Sequence, residues 1–470
     1  MARRLKSIDL ALIALLVVLV TPVAPVLTVA GQTAEGLRWV RQFGTTAPDQ
    51  ALGVAAAASG IYVTGLMIGS YPGDAYDAFL RRYDRNGAVI WMRSIATDSF
   101  DYGNAVAADA ERAYVVGHTG GALAGGSPGS VDAYVRAFDL SGNVLWTGEF
   151  GDAYNFDSAL GVAADATGVY VVGRTEGTLP GEVSSGGYDL FIRKYDFIGN
   201  VSWTHQFGTV GYEQTAAVAV DPSGVYVAGD ANGVFPGEVG AGGGDAFLRK
   251  YDTAGTVIWT RQFGTDGNDG GYAVATDPSG VYVAGLTVGT FAGETKSSRF
   301  PSGDAFLVKY DSSGRFLWAR QFGSSVATAA FAVAADTSGV YVAGQTDGAL
   351  PGASSSGGTD AFVRQYDPSG HAIGNLEFGT ASYDRAFGIA VDTTGIYVAG
   401  MTAGTFEGET NAGDVDSFLA VPNQPLPAPP QGAPEGMPLV LGIVEGVAIV
   451  SASLTAALLA RWWIHRKGAD

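Results

Sequence analysis

Residues 221–229 read DPSGVYVAG, the same nine letters return at 277–285, and a near copy, DTSGVYVAG, occupies 336–344. Pro after Asp favours the second position of a tight turn and Gly supplies a positive φ, so DPSG reads as a hairpin turn and VYVAG as the strand leaving it. Outward from this phrase, TAAVAV precedes the turn and a Gly-rich loop, DANGVFPGEVGAGGG, follows the strand. DAFLRKYD comes next, and TAG then turns into TVIWTRQFG. These are four short β patterns joined by turn chemistry. The YVxG phrase ends at Gly65, Gly117, Gly173, Gly229, Gly285, Gly344 and Gly400, at spacings of 52 to 59 residues. Four strands per unit at such a period predict blades set around an axis.

Counting the strands sets the number of blades. The DAFLRKYD element occurs seven times, beginning at Asp77, Asp132, Asp189, Asp245, Asp304, Asp360 and Asp416. The fourth-strand phrase also occurs seven times, but displaced: WVRQFG at Trp39 precedes the first YVxG, and nothing like it follows DSFLAVPN at Asp416. The predicted fold is all-β, a seven-bladed β-propeller of four antiparallel strands per blade, its ring closed by an N-terminal strand that completes the last blade.

Composition agrees with this reading. The chain has 470 residues, 69 of them Gly, with abundant Val, Tyr, Phe and Thr, no Cys and four His. The lack of Cys excludes disulfides, thiolate zinc sites and a Cys nucleophile. A net charge of −19 argues against nucleic-acid binding and favours cations or basic partners.

The two ends are different material. Residues 1–30, with Arg3, Arg4 and Lys6 ahead of an apolar stretch and TVA before Gly31, read as a secretory signal or, alternatively, an N-terminal anchor. The propeller is expected over 31–421 and a Pro-rich extended linker over 422–438. A transmembrane helix is expected over 439–460, where Glu445 is the single charge, and a cytoplasmic tail carrying Arg466 and Lys467 over 461–470. The body is thus expected outside the cell, tethered by a C-terminal span. Asn200-Val201-Ser202 is a glycosylation sequon at a strand turn.

The succession YVAG…DAFLxKYDxxGxxxWxRQFG resembles the SBBP repeats of bacterial and archaeal surface proteins, over residues 38–421. The resemblance implies a seven-bladed propeller in the cell envelope and specifies no activity. Two copies depart from the pattern: RSIATD stands where RQFGTD is expected, and GNLEFG at Gly374 lacks the Trp.

His118, His205 and His371 fall at non-equivalent blade positions, with no metal-ligand spacing between any two. The GxSxG around Ser127 lies in a Gly/Pro loop and lacks the strand-to-helix context of a nucleophile elbow. A residue present in every blade serves what every blade needs. The Asp heading each third strand and the hairpin residues Asp221, Asp277, Asp336 and Asp392 therefore read as turn and loop caps. Trp39, Trp91, Trp146, Trp203, Trp259 and Trp318 read as blade-to-blade packing.

Function is expected where the blades differ, in the loops after each second strand and between blades, which share one face. Asp49, Asp101, Asp157, Glu213, Asp269 and Asp384 stand five residues before the first-strand core residue in six blades, with Thr328 in the other. They are candidates either for caps at strand entry or for a ring at the channel mouth that binds a cation such as Ca²⁺ or a basic ligand. The overall expectation is a membrane-anchored surface module that binds or scaffolds protein or glycan ligands, with no cofactor. The alternative is a carbohydrate-active or redox enzyme using the channel mouth.

Overall fold

The computed structural model describes residues 36–68, 76–124, 131–152, 154–299 and 302–429. Within them lie 28 strands in seven four-stranded antiparallel sheets. The sheet that carries the opening phrase runs Ala216–Asp221, Gly224–Ala231, Asp245–Tyr251 and Val257–Phe263.

Five of the nine letters of DPSGVYVAG have a direct physical reason. Asp221 Oδ1 accepts from the Ser223 backbone N–H and hydroxyl, both at 2.6 Å, which holds the turn. Gly224 has φ +150°, and a Cβ there would lie 2.5 Å from the Tyr251 carbonyl oxygen. Tyr226 is fully buried, with its hydroxyl 2.7 Å from Ser223 Oγ. At Gly229 a Cβ would meet the Thr215 carbonyl oxygen at 2.2 Å and the Phe247 ring at 2.7 Å, so only Gly lets the strands pack this closely.

Ring closure follows the predicted route. The seventh blade is ordered Asp384–Asp392, Gly395–Thr402, Asp416–Pro422, Leu37–Phe43, with Trp39 opposite Val421. The sheet edge that the C-terminal part of the chain leaves open is thereby paired.

Neighbouring blades are joined by the tryptophans and the DxxG turns. Trp91 Nε1 donates to the Leu140 carbonyl oxygen at 2.9 Å and Trp146 Nε1 to that of Phe197 at 3.1 Å. Trp203, Trp259 and Trp318 do the same to Thr253, Ser312 and Pro368, each at 3.3 Å. The indoles of Trp146, Trp203 and Trp259 also lie against the turn glycine of the next blade, which leaves no room for a Cβ at Gly199, Gly255 or Gly314.

Blade six is the exception, and the reason is the closure itself. The seventh blade has no DxxG turn, because its third strand runs on to Pro422 and its fourth comes from the N-terminus. Gly374 stands in the tryptophan position, and Leu426 fills the slot, 4% exposed, its Cβ 2.7 Å from where a Gly374 Cβ would be. The Asn375 N–H donates to the Pro427 carbonyl oxygen at 2.8 Å. The segment expected as an extended spacer from 422 thus begins packed against the propeller.

The inner strands carry a feature the period-two reading lacked. Their register shifts by one residue at Leu52, Asn104, Leu160, Tyr272, Phe331 and Phe387. Each such β-bulge adds a residue that the ladder does not pair, and these six line the axial cavity of about 190 Å³. Tyr272 and Phe331 stack there at 6.0 Å, with Phe387 5.8 Å beyond. Three neighbouring aromatic rings thus form one side of the cavity wall.

The signal or anchor expected over 1–30, the span at 439–460, the tail at 461–470 and the Ser127 loop lie outside the described residues. Among the described residues no helix is long and apolar enough to cross a membrane.

Candidate binding face

The six acidic candidates stand at the entries of the first strands, and all are fully buried. Each closes its own interblade loop. Asp101 Oδ2 accepts from the Thr97 N–H at 2.7 Å, Asp157 Oδ2 from Asp152 at 2.9 Å and Glu213 Oε2 from Thr209 at 3.0 Å. Asp269 and Asp384 accept from Thr265 and Thr380, both at 2.6 Å, and Asp49 from Thr45 at 2.5 Å. Thr328 performs the same task with a hydroxyl, its Oγ1 accepting from the Ser324 N–H at 2.9 Å. These bonds have the geometry of loop caps, one of the two roles the sequence allowed.

They come together with other carboxyl groups in pairs across blade junctions, not in one ring. A Cβ on Gly208 would sit 2.2 Å from Asp189 Oδ1 and 2.4 Å from Glu213 Oε2. Gly44, Gly151, Gly264 and Gly379 mark the equivalent meetings of Asp416 with Asp49, Asp132 with Asp157, Asp245 with Asp269, and Asp360 with Asp384. Burial, and then the neighbouring carboxyl, raises the acids: Asp49 to about 6, and Asp157, Glu213 and Asp269 to about 7. Asp384 is raised for the same reasons, and Asp101 by its burial. Among the described residues no three His, Cys, Asp or Glu side chains are grouped so as to hold a metal ion.

The third-strand aspartates are caps as well. Asp189 Oδ2 accepts from the Ser185 N–H at 2.8 Å and Asp245 Oδ2 from Ala241 at 2.9 Å, closing the Gly-rich loops. Those loops are less free than their composition suggests. Glu182 and Glu238 accept from the backbone N–H of Gln206 and Gln262 at 2.8 and 3.0 Å.

With the repeated acids assigned to folding, the residues that differ from blade to blade stand out. The position after YVxG holds Leu66, His118, Arg174, Asp230, Leu286, Gln345 and Met401, so its polar members gather in blades two to four and blade six. His118 stacks on Tyr102 with ring centroids 4.5 Å apart. Its Nδ1 lies 3.0 Å from Ser158 Oγ, and the Asn104 amide donates to that same hydroxyl at 3.1 Å. Burial, then the nearby Arg174 charge, pushes the imidazole down to about 3, so it stays neutral.

The structure therefore brings a Ser and a His together across two blades. Ser158 is only 1% exposed and the third partner is an amide, so the group serves as a buried polar network and not as an accessible nucleophile. The Arg174 guanidinium lies 5.2 Å from the Phe156 ring and 5.6 Å from that of Tyr188, and is attracted by Asp230.

Beside this cluster a cleft of about 400 Å³ opens between blades two and three, lined by Phe100, Val131, Tyr154, Asn155, Phe156 and Glu176. Tyr154 is 92% exposed, and Tyr188 and Tyr212, 5.5 Å apart, extend the aromatic strip into blade four. Sequence reasoning missed these residues. The available signal was the aromatic just before the capping acid, present as Phe100, Phe156, Tyr212 and Tyr383 and absent from the other blades.

No protein-family profile matches the chain, and the SBBP resemblance stands on the repeat motifs themselves. The regulatory protein FlaEY of Caulobacter vibrioides is 27% identical over 337 residues, covering 63% of this chain and 35% of that protein. The chain thus spans about a third of that relative's length. Among solved structures, the polysaccharide lyase Uly1 is similar with a TM-score of 0.48 at 9% identity, over 83% of this chain and 99% of that one. The WD40 β-propeller domain of Doa1 has a TM-score of 0.43 at 10% identity, over 83% and 96%. At such identities the likeness is one of fold alone.

Proposed function

We propose that the protein is a cell-surface binding module, a propeller tethered by its C-terminal span, which takes protein or glycan ligands on the loop face of blades two to four. The observation that carries this reading is the cleft lined by Phe100, Tyr154 and Phe156 with Asn155 and Glu176 among them. Aromatic faces stack on sugar C–H groups or apolar side chains, while an amide and a carboxylate fix orientation through hydroxyl or N–H groups. The concentration of these residues in a few blades suits a ligand held off the axis.

Binding of the full-length chain to a glycan array and to surface extracts, with product analysis, tests the reading. Tyr154→Ala is expected to weaken capture at least about tenfold, the loss typical of an exposed aromatic anchor. Capture unchanged by this substitution would place the site elsewhere, and turnover of a captured glycan would replace binding with catalysis. The tethered topology is supported by the export-like start and by Arg466 and Lys467 after the apolar span. Protease added to intact cells is expected to release the propeller by cutting near the Pro-rich segment; a fully protected body on accessible cells would refute it.

A further inference from the structure

In four blades the Gln of the fourth-strand QFG ending makes the same pair of bonds. Gln42, Gln206, Gln262 and Gln321 each accept at Oε1 from a backbone N–H of the loop after the second strand: Phe406, Leu179, Phe235 and Phe291, at 2.8–3.0 Å. Each also donates from Nε2 to the Asp that heads the third strand: Asp416, Asp189, Asp245 and Asp304, at 2.6–3.0 Å. This amide–carboxylate bond lies beside the carboxyl pair at the blade junction.

Blade six has Glu377 in that place. Its Oε2 performs the glutamine's accepting task, taking the Leu350 N–H at 2.9 Å. Its Oε1 occupies the place of the glutamine's donor, and a carboxylate oxygen cannot donate. Glu377 is 7% exposed and Asp360 fully buried, and Glu377 Oε1 meets no hydrogen-bond donor among the described residues. Asp360 Oδ1 has none either, but that holds equally for Oδ1 of Asp189, Asp245 and Asp416 beside their glutamines, so what changes in blade six is the bond between position 377 and Asp360 Oδ2. Asp360 Oδ2, the counterpart of the oxygen that takes both a loop N–H and the glutamine amide in other blades, here accepts from the Ser356 N–H at 2.9 Å and the Ser355 hydroxyl at 2.7 Å and receives no amide.

Two buried carboxylates facing each other with no donor between them repel, unless a proton turns one into a donor. The charged surroundings do not relieve them. Asp360 is the charge that acts on Glu377, and Asp384 of the next blade feels Asp360 in turn. The Arg364 guanidinium on the third strand lies over the Phe322 and Tyr366 rings, at 5.0 and 5.4 Å, and its Nε and Nη1 bond to neither carboxylate. Blade two makes the same exchange at Glu149, but there the nearby Arg136 supplies an opposite charge.

We infer that a proton held between Glu377 and Asp360 ties the outer strand of blade six to its third strand, beside the junction with blade seven, so that this edge of the blade is firm in mildly acid medium and loosens as the medium becomes alkaline. The proton sits on Glu377 and is donated to Asp360, reproducing the amide bond of the other blades; its loss to solvent leaves two facing carboxylates. In line with this, burial first and then the Asp360 charge raise Glu377 to about 7. The sign follows. The unfolded carboxyl releases its proton near pH 4.5 while the folded one keeps it to about 7, so the stabilisation is complete below the first value and lost through the second.

The test compares the full-length chain with Glu377→Gln, which restores the bond seen in four other blades and is therefore expected to fold. Unfolding midpoints would be measured in denaturant from pH 5 to pH 8. The variant is expected to gain on the parent by roughly 100-fold in folding equilibrium over that range, about two decades for two pH units of differential protonation. Asp360→Asn, which offers an amide to Glu377 from the other side, is expected to flatten the pH dependence likewise. A difference infrared spectrum taken across pH 7 should lose a protonated-carboxyl band in Glu377→Gln. Parallel stability curves for parent and both variants, or an unaltered infrared difference, would overturn the inference.

Discussion

Replacing Leu426 by Ala tests whether the chain leaving the last blade acts as a substitute for the tryptophan missing from blade six. Leu426 is 4% exposed and packs over Gly374, in a cluster that includes Leu37, Tyr341, Leu376 and Phe418. Removing a buried leucine side chain typically costs about 2–5 kcal/mol, and the slot lies at the propeller's edge, where it can partly collapse, so about 2–3 kcal/mol is expected. In a domain of this size that corresponds to a fall in Tm of a few degrees, about 2 °C per kcal/mol. Equilibrium denaturation would give the free energy, and Gly374→Trp completes a double-mutant cycle. In the parent the indole meets Leu426 and destabilises; in the Leu426→Ala background it fills the vacated space and should recover part of the loss. The coupling between the two sites is expected to exceed about 1 kcal/mol, as for residues that share one cavity. Additive effects, or a Leu426→Ala chain as stable as the parent, would refute the reasoning and leave 423–427 as a spacer that merely lies nearby.

Two further outcomes follow from the buried carboxyl pairs. Asp157, Glu213 and Asp269 hold their protons to about pH 7 when folded but release them near 4 when unfolded, so stability should fall from pH 5 to pH 8. A fall of at least about 2 kcal/mol in denaturant titrations is expected, and a propeller more stable at pH 8 would contradict it. Gly208→Ala should push Asp189 and Glu213 apart and destabilise by more than about 2 kcal/mol, whereas the same change at a loop tip, Gly181, where no atom lies within 4 Å of the Cβ position, should cost about 1 kcal/mol for its positive φ alone; equal losses would show that the close carboxyl oxygens do not matter.

Much of the fold was legible because the repeat supplies its own controls. Seven third strands and a displaced set of fourth strands require the N-terminal strand to pair with the last blade, and Trp39 does lie opposite Val421. The tryptophans could be assigned to packing for the same reason, since a blade junction needs what every blade supplies. The aromatic side of the axial cavity was not legible. A bulge breaks the period-two alternation at one residue, and the letters that fall there, from Asn104 to Phe387, share no chemistry that would mark them. Nor was the contact of His118 with Ser158, 40 residues apart in sequence and joined only by the meeting of two blades.

The acid series shows how an interrupted pattern is best interpreted. Six carboxylates at equivalent positions invite a reading in terms of charge, and Thr328 then looks like a defect in the ring. The bonds point the other way. Thr328 takes the N–H four residues back at 2.9 Å, as Asp101 does at 2.7 Å, and it is just as buried. What every strand entry requires is an acceptor of the right reach, and a hydroxyl serves as well as a carboxylate. A ligand that needed the negative charge would have no use for a position where that charge can be absent. The side chains that differ in kind, namely His118, Arg174, Asp230 and the aromatics beside them, sit on the same face but in neighbouring blades. Seven equal blades provide the frame, and any selectivity for a ligand has to come from what breaks their equality.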